Sequence, residues 1–184
     1  GQLMVEDQKL SDFQESDWQE NALFLPQEAF IFTRSLRVNV LLGETTVGDE
    51  ELWKGLEGLH LGKKVWESRG EILSRLGERG VNLSGGQRQR LSIARALFRH
   101  RKIYLLDDVL SHLDPETEQI AFDFILQSLP SASSIIFSSQ RWSVIRRFQK
   151  VLCIEADGRV LMGDLEDVLS RSVFLKRLRG LQAA

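Results

Sequence analysis

The decisive stretch of this chain reads Leu83-Ser84-Gly85-Gly86-Gln87-Arg88-Gln89-Arg90-Leu91, and it continues with Ile93-Ala94-Arg95-Ala96-Leu97. A serine and two glycines stand before a run with helical periodicity, which predicts a helix over residues 84–98. The first N–H groups of such a helix and the positive end of its dipole point outward. Because glycine has no side chain, a phosphate can approach this helix end closely.

A second informative stretch follows at once, Lys102-Ile103-Tyr104-Leu105-Leu106-Asp107-Asp108. It predicts an apolar strand that ends in two carboxylates. The carboxyl edge of a parallel sheet is where α/β folds bind their ligands. An acidic residue after an apolar strand is nevertheless weak evidence of a binding site when it stands alone.

Strand-like and helical periodicities alternate along the chain, which predicts an α/β fold with a parallel sheet covered by helices. One helix is predicted over residues 115–129, with Asp114 as its N-cap and Pro115 at its first position. No strand-like run occurs between about Ser35 and Leu76, so this part is interpreted as a helical insertion. The predicted strands are Leu3–Val5, Ala22–Leu25, Ile103–Leu106, Ser134–Phe137, Val151–Ile154 and Arg159–Met162.

Residues 83–97 resemble the signature motif of the ATP-binding cassette (ABC) family, and residues 102–108 resemble its Walker B strand. Two more stretches occur in the family's order. The run Phe24-Leu25-Pro26-Gln27-Glu28 resembles the Q-loop, and Ser111-His112-Leu113-Asp114 resembles the D-loop. The resemblance extends over about residues 1–172 and implies a P-loop NTPase-like sheet core with a helical subdomain insertion.

The resemblance implies that the ligands are ATP and Mg²⁺. Asp107 would hold the metal ion, and Gln27 would reach towards the metal and the attacking water. Asp108 would stand where the family has its general base, and Ser139 would take the place of the family's switch histidine. The residues that would contact the nucleotide are Ser84, Gly85, Gly86, Gln87 and, in the D-loop, Asp114.

Two of these positions depart from the family pattern. The residue after the Walker B aspartate is usually Glu, whereas here it is Asp108, one methylene shorter. Ser139 can donate one hydrogen bond, but it carries no proton-switchable charge. Both changes weaken hydrolysis at the site in cis, which implies the degenerate half of a heterodimeric or two-cassette exporter. The intact signature would then complete, in trans, the site of a second nucleotide-binding domain in a head-to-tail dimer.

The phosphate-binding P-loop, G-x-x-x-x-G-K-[ST], does not occur in the sequence. The run Gly58-Leu59-His60-Leu61-Gly62-Lys63-Lys64 is similar, but its glycines are one residue too close and no predicted strand precedes it. In the family register Gly1 falls just beyond the P-loop helix. We therefore expect the N-terminal β-subdomain and the P-loop to be missing, and negligible ATPase activity from this chain alone.

The run Leu76-Gly77-Glu78-Arg79-Gly80 resembles the X-loop of exporter-type cassettes, which contacts the coupling helices of the transmembrane domain. The resemblance therefore implies a transmembrane partner bound through residues 77–80. It also divides the chain into the end of the β-subdomain with the Q-loop (1–34), a helical subdomain (35–82), the part from the signature to the switch (83–172) and a C-terminal helix (173–184).

The composition of the 184 residues, with a net charge of −2 and a single cysteine, fits a soluble domain and gives no support to nucleic-acid binding. No apolar stretch is long enough to span a bilayer. We expect a position at the cytoplasmic face of a membrane as part of a transporter. Two alternatives stay open: a free-standing, ATPase-inactive regulatory or interaction protein, and a soluble cassette ATPase of DNA repair or translation.

Overall fold

The computed structural model describes residues 2–5, 7–66, 75–76 and 83–182. The chain forms two compact units, with the boundary between Phe137 and Ser138. The first unit contains the sheet, the helical insertion and the signature helix, and the second contains a β-hairpin with its helices. Nothing in the described ranges is a helix long and apolar enough to cross a bilayer.

The sheet of the first unit has the strand order β3-β4-β5, with β3 at Ala22–Leu25, β4 at Ile103–Asp107 and β5 at Ser134–Ser138. Strands β3 and β4 run parallel, which confirms the predicted α/β architecture. Alternate side chains of β4 are buried, Tyr104 and Leu106 among them, as expected for a strand with one covered face. The Tyr104 hydroxyl donates to the backbone oxygen of Arg99 at 2.8 Å, which fastens the start of the strand.

The N-terminal part is a small antiparallel hairpin of β1 (Met4–Val5) and β2 (Gln8–Lys9), followed by a 3-10 turn at Leu10–Asp12 and helix α1 at Glu15–Asn21. Strand β2 was not predicted. Glutamine and lysine have no preference for strands, so the pairing with β1, and not the propensity of the two residues, accounts for β2.

The helical insertion contains α2 (Leu36–Leu41), α3 (Asp49–Gly58) and α4 (Lys63–Trp66), as the absence of strand-like runs predicted. An isolated bridge between Ser35 and Arg75 closes this part. The buried side chains are mostly leucines, each worth about 1.5–3 kcal/mol on burial. They include Leu36 and Leu41 of α2, Leu52 and Leu56 of α3, and Leu91 and Leu97 of the signature helix.

Two long helices of the first unit begin as the sequence predicted. Helix α5 spans Gly85–Leu97 with Ser84 as its N-cap. Helix α6 spans Pro115–Ser128, with Asp114 as its N-cap and Pro115 in its first turn. The Asp114 carboxylate accepts a hydrogen bond from the Thr117 N–H at 3.0 Å, which satisfies one of the donors that a helix start leaves without an intrahelical acceptor.

The second unit contains α7 (Trp142–Ile145), the hairpin of β6 (Lys150–Ile154) and β7 (Val160–Asp164), α8 (Leu165–Arg171) and α9 (Val173–Gln182). Its core consists of the side chains of Cys153, Val168, Leu169, Leu175 and Leu178. Cys153 is a free cysteine that packs here as a small buried side chain. Helix α9 contributes Leu175 and Leu178 to this core, and it occupies most of the segment 173–184 that was predicted to be helical.

Candidate functional site

The register of β3 and β4 brings Gln27 and Asp108 together. Leu25 pairs with Leu106 in the parallel ladder, so the residues two positions further on, Gln27 and Asp108, leave the sheet at the same edge. The Gln27 Nε2 donates a hydrogen bond to Oδ2 of Asp108 at 3.1 Å. Each residue was predicted to serve the same site, and the strand pairing gives the physical reason for their contact.

Asp108 has a left-handed backbone, with φ 44°. Aspartate adopts this conformation at lower cost than most residues, and such backbones concentrate at functional sites. Asp107, the last residue of β4, is exposed. Two carboxylates therefore stand in succession at the carboxyl edge of the sheet, each on a different backbone conformation.

The start of the signature helix is built as a capping box. Ser84 Oγ accepts from the Gln87 N–H at 3.2 Å, and Gln87 Oε1 accepts from the Ser84 N–H at 3.0 Å. The N–H groups of Gly85 and Gly86 lie in the first helical turn, where no intrahelical acceptor exists. Among the described residues no heavy atom approaches within 4 Å of the point where a Gly85 Cβ would stand. This helix end is therefore open to an anion.

The D-loop lies directly against the signature. A Cβ on Gly86 would stand 3.5 Å from the His112 backbone oxygen and 3.5 Å from a Leu113 methyl group. Leu113 is buried, whereas His112 and Asp114 are exposed. Hydrogen bonding from the Thr117 N–H lowers the pKa of the Asp114 carboxyl.

Arg90 connects the signature helix to the end of α3. Its Nη1 donates to the backbone oxygens of Leu59 at 3.1 Å and His60 at 3.0 Å, and its Nε donates to the Gly86 oxygen at 3.3 Å. Burial lowers the pKa of the Arg90 guanidinium, and the charge of Asp114 acts in the opposite direction. Cations at a helix C-terminus are favourable, so Arg90 fixes the signature helix against the helical insertion.

Sequence reasoning missed the contribution of Arg95 and Asn39. Arg95 lies in the signature helix and is buried, and its Nε donates to the Asn39 backbone oxygen at 2.8 Å. The available signal was an arginine enclosed by four apolar residues in Ile93-Ala94-Arg95-Ala96-Leu97. An arginine in such a run either lies on the solvent face of the helix or is buried with hydrogen-bond acceptors. Only the tertiary structure distinguishes the two.

Ser139 directly follows β5 and belongs to the second unit, where its Oγ accepts from the Arg141 N–H at 3.1 Å. Its role as a replacement of the switch histidine stays a prediction. The predicted X-loop residues Gly77–Gly80 lie outside the described residues. The run 58–64 is preceded by helix α3 and not by a strand, and Leu59 and Leu61 within it are buried. The structure therefore agrees with its rejection as a P-loop.

Comparisons with known proteins show the family to which this chain is similar. The sequence model of the family described as "ABC transporter" matches residues 1–111. An uncharacterized ABC transporter ATP-binding protein of Bacillus subtilis is 29% identical over 182 residues, which are 99% of this chain and 32% of the relative. A putative export ATP-binding/permease protein of Rickettsia prowazekii is 31% identical over 178 residues, which are 97% of this chain and 31% of the relative.

Among solved structures, a bacterial Atm1-family ABC exporter with ATP bound matches 100% of this chain with a TM-score of 0.87 and 25% identity, over 32% of its own length. The chain thus spans about a third of the length of the relatives it matches. The match to the family model covers more than half of the chain and includes the Q-loop, signature and Walker B stretches. The chain therefore belongs to the ABC transporter family and corresponds to the nucleotide-binding domain of its exporter-type members.

Proposed function

We propose that this chain is part of the ATP-binding and ATP-hydrolysing cassette of an ABC exporter. It would contribute its signature motif in trans to the nucleotide of a second cassette, and a degenerate Walker B and switch in cis. The observation that carries the proposal is the contact between Gln27 and Asp108 at the edge where β4 ends in Asp107. The putative export protein of Rickettsia prowazekii and the Atm1-family exporter, both similar to this chain, support the direction of transport.

The residues at the sheet edge fit a magnesium ion. The Gln27 Nε2 is used by Asp108, which leaves the amide oxygen Oε1 as the atom that can face a cation. This oxygen and the Asp107 carboxylate are both oxygen donors, the kind of ligand that Mg²⁺ prefers, and they would hold the ion. When bound, the ion would neutralise charge that develops on the phosphates of ATP. Asp108 would orient or deprotonate the attacking water, with the reach of a side chain one methylene shorter than that of Glu.

The open end of α5 supports a role in trans. The capping box satisfies the N–H groups of Ser84 and Gln87, and the N–H groups of Gly85 and Gly86 remain for an anion that approaches from outside the chain. The D-loop backbone at His112 lies beside Gly86. We propose that a second nucleotide-binding domain docks head to tail on this surface, with Asp114 at its margin.

An aromatic surface supports a transmembrane partner. Phe30, Phe32 and Val38 are exposed although they are large and apolar, and the two phenylalanine rings pack edge to face at 4.9 Å. The Leu76 N–H, next to the predicted X-loop, donates to the Arg34 oxygen at 2.9 Å in the same part of the chain. We propose that coupling helices of the transmembrane domain bind this surface together with residues 77–80, at the cytoplasmic face of the membrane.

The test compares two variants of the parent transporter that carries this chain. Gly85→Ala places a methyl group in open space, so the fold is unchanged, but it obstructs a nucleotide held by the partner. Misplacement of reacting groups by about 1 Å costs on the order of 100-fold. We expect Gly85→Ala to reduce ATP turnover about 10- to 100-fold, and Asp108→Asn to reduce it less. The reverse order would contradict the assignment in trans, and Gly180→Ala serves as the control.

The free-standing alternative makes a different prediction about size. As a part of an exporter, the native protein has a mass well above the 21.0 kDa of this chain, whereas a regulatory protein complete in itself has that mass. Intact mass of the protein from its native source separates the two. In both cases we propose negligible ATP turnover by the purified 184-residue chain, because its sequence contains no G-x-x-x-x-G-K-[ST] string.

A further inference from the structure

The guanidinium of Arg95 is buried among neutral acceptors. Its side chain belongs to the signature helix α5, and the residue is 7% exposed. Burial lowers its pKa to about 10. Within the described ranges its partners are backbone and amide oxygens and the Phe32 ring, whose centroid lies 5.5 Å away. Because burial of a charge is costly without good partners, the few acceptors that Arg95 has must be held firmly.

Those acceptors lie on two different segments. The Arg95 Nη2 donates to the Phe30 backbone oxygen at 2.6 Å, and its Nε donates to the Asn39 backbone oxygen at 2.8 Å. Phe30 is in the irregular loop that follows Gln27, and Asn39 is in helix α2. A planar guanidinium presents donors in a rigid fork, so Arg95 fixes the distance between the loop, α2 and the signature helix.

The Asn39 side chain also makes hydrogen bonds to this loop. The residue is 0% exposed, and its Oδ1 accepts from the Phe32 N–H at 2.8 Å while its Nδ2 donates to the Phe32 oxygen at 2.9 Å. The same Nδ2 also lies within hydrogen-bond distance of the Arg34 and Ser35 oxygens. Residues 26–34 contain no helix or strand. The side chains of Asn39 and Arg95 therefore supply much of the hydrogen bonding that regular structure would otherwise give.

We propose that Arg95 and Asn39 are positioning residues that couple the signature helix to Gln27. One end of the linked assembly is the helix start at Ser84, and the other is the Gln27 contact with Asp108. This inference rests on the proposed function, in which the signature serves the partner's nucleotide and Gln27 serves the site in cis. A shift of α5 when the partner's nucleotide binds is then transmitted through hydrogen bonds of 2.6 and 2.8 Å, which cannot lengthen much before they break.

Arg99, one helical turn further along α5, provides a matched control. Its Nη2 donates to the Leu42 oxygen at 2.7 Å, at the end of α2, and it makes no hydrogen bond to residues 26–34 in the described part of the chain. Arg95→Lys keeps the charge and loses the fork, so one of the two segments is released. Arg99→Lys makes the same chemical change on the same helix without touching the loop.

The experiment is hydrogen–deuterium exchange on the parent transporter, with and without Mg·ATP. Without nucleotide we expect Arg95→Lys to accelerate exchange of the Phe32 amide about tenfold or more, since its local opening becomes easier, and Arg99→Lys to leave it unchanged. With Mg·ATP, protection of residues 84–91 and of residues 26–34 changes together in the wild type and in Arg99→Lys. In Arg95→Lys only residues 84–91 respond.

Two outcomes would overturn the inference in distinguishable ways. In the first outcome the wild type responds to Mg·ATP, and residues 84–91 and 26–34 still respond together in Arg95→Lys. This result would overturn the coupling alone. A wild type in which neither segment responds would overturn the proposed function and the coupling with it.

Asn39→Asp is the second variant if Arg95→Lys unfolds, because it keeps an oxygen for Arg95 and the Phe32 N–H but removes the Nδ2 donor. We expect the same loss of joint response from it.

Discussion

The Gln27 amide and the Asp108 carboxylate are joined by a 3.1 Å hydrogen bond across 81 positions of sequence. A double-mutant cycle in the parent transporter tests whether this bond acts during hydrolysis. We expect Gln27→Ala and Asp108→Ala to be non-additive by about 0.5–1.5 kcal/mol in the single-turnover rate of ATP hydrolysis, because each substitution removes the same bond. Strict additivity would show that the bond plays no part in the reaction. The pair Glu28→Ala and Asp108→Ala is the additive control.

The left-handed backbone of Asp108 predicts which substitutions at this position lower the free energy of unfolding. Asparagine tolerates this conformation as aspartate does, whereas a β-branched residue does not. We expect Asp108→Asn to leave the free energy of unfolding nearly unchanged and Asp108→Val to lower it by about 1–2 kcal/mol. The measurement is urea unfolding of the 184-residue chain. Asp107→Val is the matched control, because its position in a strand favours a β-branched residue, and an equal loss in both valine variants would contradict the backbone explanation.

Two helical glycines respond to the same substitution in opposite ways. A Cβ on Gly58 would overlap with carbons of the Phe124 ring. We therefore expect Gly58→Ala to destabilise the chain by about 1–3 kcal/mol through overpacking. No described atom lies within 4 Å of a Cβ on Gly180 in α9, so Gly180→Ala gains about 0.5–1 kcal/mol from lower chain entropy. Thermal unfolding of both variants measures the contrast, and a stabilised Gly58→Ala would refute the close contact with Phe124.

The N-cap of α6 gives a pH-dependent prediction. The hydrogen bond from the Thr117 N–H lowers the pKa of Asp114 below its ordinary 3.8. A lowered pKa stabilises the fold above the unfolded-state value, and this stabilisation is lost as the pH falls through the folded-state value. Asparagine caps a helix about as well and does not titrate in this range. We expect wild type and Asp114→Asn to have similar unfolding midpoints at neutral pH and to diverge below about pH 4, with the wild type weaker.

A difference between the unfolding midpoints of wild type and Asp114→Asn that stays constant from neutral to low pH would contradict this origin. Asp114→Ala separates the cap from the charge. It should lower the unfolding midpoint at neutral pH, and its deficit against the wild type should shrink as the pH falls. Midpoints from urea unfolding over the acidic range provide both comparisons.

Much of the architecture was predictable because local rules and long-range packing agree in this chain. The capping residues Ser84 and Asp114 mark helix starts through bonds to N–H groups only three residues away, and such bonds are visible in a sequence. Tyr104 and Leu106 of the apolar run 103–106 are buried, and the apolar character that buries them is also what makes the strand recognisable in the sequence. Strand β2 was missed because only its partner makes it a strand.

The candidate site also has a part that could be predicted from the sequence and a part that only the structure shows. The order of its motifs and the identity of Gln27, Asp107 and Asp108 could be read from the sequence, since each motif is a short run of residue types with its own chemistry. Their roles at a nucleotide remain predictions. The contact of Gln27 with Asp108 follows from the register of two strands that are distant in sequence, and no local rule specifies that register.

The sequence by itself determined the family and the starts of α5 and α6, because these depend on neighbours a few positions apart. Which residues face a phosphate or a metal ion stays a prediction from the same short motifs. Only the tertiary structure decided that Arg95 is buried and linked to Phe30 and Asn39. An arginine in an apolar helix can face solvent or the interior at similar cost when good acceptors exist. Whether they exist is decided by segments that meet only after the chain has folded.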